Sequence, residues 1–304
     1  MSSNAAIESY GALLLRGDPT GQVSVVMQPI CELNENDYTR FHAAYNVMFN
    51  MLEANMFTYV RQSGLDLFRT VMDASEAFRD GKIPAFGEGD MVEWATRIRT
   101  GILGVCSSIH HHQEQSLIAV VRQFDKDSAE HVEMKRLFKA VYDRCFAYRL
   151  LFRLRHIMVH STMLAPAMKA TAGISEGEKY ALVDMRLDRS VFYESSKISA
   201  AIKAELRALD EDPSIYELVG EVMPELRDTN REVLALLHPD IDDTCATVRE
   251  FDALFGGQPG RRALVRQQSP ELRPPFETSY QAWPPSVFDY AHARAVSNRV
   301  EAEG

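Results

Sequence analysis

The sequence predicts an all-α fold, a helical bundle with long helices, carrying a small N-terminal β-hairpin and an extended C-terminal arm. Apolar residues recur three or four apart over most of residues 35–255, the period of one helix face. Alternation of strand and helix patterns is missing, which argues against a Rossmann-type sheet. With 304 residues, 46% of them hydrophobic, the chain can bury the core of one large domain or two small ones.

At the N-terminus, Ala12–Arg16 and Gln22–Met27 read as two short strands around the turn residues Asp18, Pro19 and Gly21. From about Asp37 to Ala74, Phe41, Tyr45, Phe49, Leu52, Met56 and Val60 mark one helix, with Gly64 placed to bend or break it. Gly81, Pro84, Gly87 and Gly89 predict a loop over 80–90, and a second helix follows from about Asp90 to Phe124. The third runs from an N-cap at Ser128 to about Met163, where Pro166 and Gly173 act as stop signals. Its capping box is imperfect, because His131 stands where a glutamate or glutamine belongs. Further helices are expected near 190–208, 214–238 and 241–255, with Pro224 placed to kink the second. Residues 1–34 thus form a hairpin segment, 35–256 a helical bundle, and 257–304 a proline-rich arm without a core of its own. The aromatics of that arm, Phe276, Tyr280, Trp283, Phe288 and Tyr290, are suited to pinning it onto the body or a partner.

Cys31, Cys106, Cys145 and Cys245 are scattered and form no CxxC pair, so neither a thiolate zinc site nor a disulfide framework is expected. No apolar run is long enough to cross a bilayer, and Met1–Tyr10 lacks the features of a signal peptide. The expected compartment is the cytoplasm. Net charge is −10 and unevenly spread. Residues 205–252 carry 14 acidic and 4 basic side chains, whereas residues 130–160 carry 7 basic and 3 acidic ones. A basic helix in an acidic protein is either an ordinary solvated face or an anion-binding one.

On a helical wheel, Tyr142, Cys145, Arg149, Arg153, His156 and His160 fall on one stripe, opposite a core face of Leu150, Leu151, Leu154, Ile157 and Met158. Arginine binds anions and histidine moves protons near neutral pH. The stretch Arg155-His156-Ile157-Met158-Val159-His160, an arginine, a polar residue, three residues and a histidine late in a long helix, resembles the motif of the HEPN superfamily. That superfamily includes many ribonucleases of bacterial toxin–antitoxin and phage-defence systems. The resemblance covers about residues 90–255. It implies a metal-independent endoribonuclease with no cofactor, RNA as its partner, Arg155, His156 and His160 as catalytic residues, and a homodimer whose two motifs line one cleft. A protein antitoxin or a defence-system partner is a further implied possibility. RNA brings its own nucleophile, so cleavage needs an acid, a base and positive charge on the phosphorane, which imidazole and guanidinium supply. Arg149, Arg153 and Tyr142 are the candidate phosphate contacts. Arg155 and His160, five residues apart, diverge by about 140° on a regular helix, which is a second reason to expect a dimer.

Two other functions stay open. A non-catalytic helical dimerisation or binding subunit would give the same texture. So would a histidine-ligated metalloprotein, because His156 and His160 have ligand spacing and His110, His111, His112 and Glu114 are further candidate donors. No HExxH motif and no glycine-rich phosphate loop after a strand is present.

Overall fold

The computed structural model describes residues 8–17, 25–82, 88–269, 271–272 and 280–303. Among the described residues it contains ten α-helices and two antiparallel sheets, one of four strands and one of two. The fold is mostly helical but mixed, and this corrects the all-α expectation. The chain divides into two compact units, Met1–Asn55 with His238–Gly304, and Met56–Leu237.

In the first unit, β1 (Ser9–Arg16) pairs on one side with β2 (Val26–Leu33) and on the other with β5 (Arg261–Gln267), which in turn pairs with β6 (Tyr280–Ala282). The N-terminal strands are therefore half of a four-stranded sheet rather than a separate hairpin. Most of the turn expected to join them lies outside the described residues. The helices are α1 (Glu35–Leu52), α9 (Ile241–Ala253) and α10 (Pro285–Glu303). The segment read as a coreless arm supplies two strands, a helix and Trp283, which is fully buried. The Trp283 ring stacks on Phe251 at 4.3 Å and on Phe288 at 5.5 Å, with Tyr45 at 5.4 Å. Phe276 lies outside the described residues.

The second unit holds α2 (Met56–Arg79), α3 (Glu88–Phe124), α4 (Ala129–Arg144), α5 (Phe146–His160), β3 (Pro166–Ser175), β4 (Glu178–Leu187), α6 (Arg189–Glu194), α7 (Ala200–Arg207) and α8 (Ile215–Leu237). The helix expected over 37–74 is two helices. It breaks at Glu53–Asn55, where the Asn55 side-chain amide donates to the Met51 carbonyl at 2.7 Å. Gly64 sits inside α2 and breaks nothing. At the end of α2, Gly81 takes φ +70°, and the N–H groups of Gly81 and Lys82 close back on Phe78 and Ala77, a Schellman ending. Part of the expected 80–90 loop, residues 83–87, lies outside the described residues.

The long basic helix is also two. Cys145 leaves the helical region at φ −105°, ψ 108°, ending α4 and capping α5, with its Sγ accepting from the Tyr148 N–H at 3.3 Å. Ser128 caps α4 by accepting from the His131 N–H. His131, at the capping-box position, makes a related bond one residue earlier: its Nδ1 accepts from the N–H of Asp127, the residue before the cap, at 3.0 Å. β3 and β4 occupy a stretch where helix-stop signals alone were expected. They pair from Pro166↔Leu187 to Ser175↔Glu178, turning at Glu176 and Gly177, both with positive φ. Val183, Met185 and Leu187 face the core. Pro224 lies inside α8, which continues past it to Leu237. Among the described residues no helix is long and apolar enough to cross a membrane.

Candidate active site

The short helix α5 carries the candidate residues, and its buried face explains its orientation. Ala147, Tyr148, Leu150, Leu151, Leu154, Ile157 and Met158 are all buried, so the polar positions between them lie at the margin of the buried face or outside it. Near the C-terminal end, Arg153, Arg155 and His156 are half-buried and His160 is exposed. The His156 and His160 rings lie 4.7 Å apart, centroid to centroid, one helical turn from each other. Desolvation first, and then the charges of His160, Arg153, Lys197 and Arg155, hold the His156 imidazole below its ordinary range. An imidazole so placed is neutral at pH 7 and able to accept a proton. Lys197, exposed in the segment between α6 and α7, belongs to this cationic surround. The helix pattern gave no sign of it, since only the fold of residues 189–207 brings it to α5.

Arg155 reaches into the unit. Its Nε is buried without a hydrogen-bond partner, and its charge bears on Cys106 of α3, whose thiol burial pushes up to about 12. Nε of Arg153 is likewise buried and unpartnered, while one terminal nitrogen donates to the Tyr142 hydroxyl at 3.3 Å. Two half-buried guanidiniums on one helix turn still place positive charge beside the histidine pair, which favours an anion. Tyr142 also borders a pocket of about 350 Å³ with Lys135, Lys139 and Phe152.

Arg149 is committed elsewhere. One of its nitrogens donates to the carbonyls of Tyr142 and Asp143, both at 2.8 Å, and another to Glu205 at 2.6 Å. It holds the end of α4 and pairs with α7, which uses the donors a phosphate would need. The single stripe from Tyr142 to His160 does not exist as such, because Cys145 is buried at a break between two helices.

The three consecutive histidines diverge. His110 stacks on Phe152 at 4.7 Å, with Nδ1 3.1 Å from the Glu114 carboxylate. His111 is exposed. His112 is buried, its Nε2 3.1 Å from Oδ1 of Asn230. Among the described residues no three histidine, cysteine, aspartate or glutamate side chains form a group able to hold a metal ion. His110, His111, His112 and Glu114 are therefore not gathered with His156 and His160 into a ligand set.

The site as it stands offers two adjacent imidazoles, one biased to the neutral form, beside two arginines and a lysine. Such a group can bind a phosphodiester and pass protons to and from it. Comparison of the chain with family models, with curated proteins and with solved structures found no match.

Proposed function

We propose that the protein is a metal-independent endoribonuclease of the toxin–antitoxin or phage-defence type. It cleaves RNA by attack of the 2′-hydroxyl on the adjacent phosphorus, leaving a 2′,3′-cyclic phosphate and a 5′-hydroxyl. The observation that carries this reading is the His156–His160 pair, 4.7 Å apart, within a cationic surround. One imidazole takes the proton of the 2′-hydroxyl as the new P–O bond forms. A protonated imidazole gives a proton to the departing 5′-oxygen. Arg153, Arg155 and Lys197 offset the charge that builds on the phosphorane. The resemblance of residues 155–160 to the HEPN motif points the same way.

A second copy completes the cleft. Val159, Met163 and Leu164 are 49%, 39% and 65% exposed at the end of α5, an apolar rim that a symmetric partner would cover. The same rim favours a second reading, a binding subunit that docks an antitoxin or defence partner without cleaving. The test is RNA cleavage by the wild type and by His160→Ala, an exposed position where truncation leaves the fold intact. Loss of a proton-transfer group lowers the rate by about 10²–10⁴-fold. Unchanged cleavage by His160→Ala overturns the mechanism, and a stable partner complex with no cleavage of any RNA favours the binding subunit.

A further inference from the structure

Helices α2 and α8 of the second unit do not close on each other completely. Between them lies a trough of about 670 Å³, a volume typical of small-molecule sites. Its walls are Phe57, Leu65, Phe68, Val219 and Met223, with Gly64 and Gly220 keeping the floor low. Leu65 and Phe68 are 43% and 40% exposed, large apolar surface left uncovered. The Phe68 and Tyr216 rings stack at 5.4 Å and close one end. In the middle, a Cβ on Gly64 would meet the Met223 methyl, so these positions are level and the helices run antiparallel. Arg61 on α2 and Arg227 on α8 both line the half of the trough away from the Phe68–Tyr216 pair.

The trough has a fixed electrical sense. Among the described residues no carboxylate lies within ion-pair distance of Arg61. Among the described residues, Arg227 pairs with its exposed neighbour Asp228, at 3.2 Å, a weak tie. Glu217 lines the trough near the closed end, beside Tyr216. An occupant is thus drawn head-first to the two arginines and repelled from the far end. From Arg61 to Phe68 is seven residues, or about 10 Å along a helix. A protein helix lying in the trough would have to climb over the Phe68–Tyr216 pair.

We propose that this trough binds a small amphipathic carboxylate, a medium-chain fatty acid or a molecule of that shape, with its anionic head on Arg61 and Arg227 and its apolar body on the glycine floor. Its location, on helices other than α5, makes it a separate site from the histidine pair.

The test is calorimetric titration of the full chain with decanoate and, separately, with decanol. Gly220 lines the trough and a Cβ there meets nothing within 4 Å, so Gly220→Leu adds apolar bulk to the trough wall from a position with room at its Cβ, and improves the helix. Saturable decanoate binding that Gly220→Leu abolishes, and that Arg61→Gln and Arg227→Gln each weaken by roughly tenfold, the size of one charge-assisted hydrogen bond, supports the proposal. Decanol should bind more weakly and ignore both arginine changes. Equal binding of the alcohol and the acid, or binding that survives Gly220→Leu, overturns it. So does concentration-dependent self-association that Gly220→Leu abolishes, because the trough would then be an interface between copies.

Discussion

His112 shows how burial turns one side chain into a pH-dependent contribution to stability. Its Nε2 faces the Asn230 oxygen and so carries the proton, while Nδ1 is buried with no partner. A second proton there would find no acceptor, and burial pushes the pKa down to about 4. The unfolded chain takes up that proton near the ordinary value of about 6.5, well before the folded chain does. Stability from this residue is therefore full above about pH 6.5 and falls by about 3 kcal/mol as pH drops toward 4. Urea unfolding at pH 7.5 and 4.5 should show His112→Leu losing less stability than the wild type over that interval, and an equal loss would contradict the assignment. Arg149 makes a different prediction, because its donors hold two carbonyls and Glu205. Arg149→Met should lower the unfolding free energy by about 1–3 kcal/mol and leave RNA affinity unchanged. A fall in RNA affinity at constant stability would return it to the phosphate-binding set. The wheel placed His156 and His160 together because both obey the period of one helix. It could not place Arg149, whose partner Glu205 lies 56 residues away.

At the level of elements, the sequence is legible where the physics is local. Ser128 caps its helix, and the apolar period drew α8 and α9 close to their observed limits. The break at Cys145 was not legible, since leucine and phenylalanine continue in helical phase on both sides of it and a cysteine is an uncommon cap. The β3–β4 hairpin has a signal, the alternation of Val183, Met185 and Leu187 with Asp184 and Arg186. Pro166 and Gly173 masked it by reading as the end of a helix. Its turn is demanding: Glu176 and Gly177 hold φ of +53° and +83°. A two-residue turn with both central residues left-handed favours asparagine followed by glycine. Gly177→Ala should cost about 1–2 kcal/mol and lower the melting temperature, whereas Glu176→Asn should raise it. A melting temperature indifferent to both changes would show that the hairpin contributes little to the cooperative unit.

For the whole molecule, the sheet of the first unit is assembled from the two ends of the sequence, with Ser9 opposite Gln267 and Leu15 opposite Arg261. Nothing local in a proline-rich segment announces a partner about 250 residues away, which is why residues 257–304 looked coreless. Trp283, in contact with Phe251, Tyr45 and Phe288, makes the dependence testable. Trp283→Ala should destabilise by about 3–5 kcal/mol, the usual loss for a large buried aromatic, measured by denaturant unfolding. A loss below about 1 kcal/mol would mean that the segment is only lightly attached. The proposed cleavage depends on the end of α5, where two imidazoles meet arginine and lysine and where a second copy would complete the cleft. Its most direct test is the chemistry of the cut RNA. With a chelator present, the wild-type protein should leave 2′,3′-cyclic phosphate and 5′-hydroxyl ends, and His156→Ala with His160→Ala should leave the RNA whole. Cleavage that stops on chelation, ends bearing a 5′-phosphate, or intact RNA with the wild-type protein would contradict it.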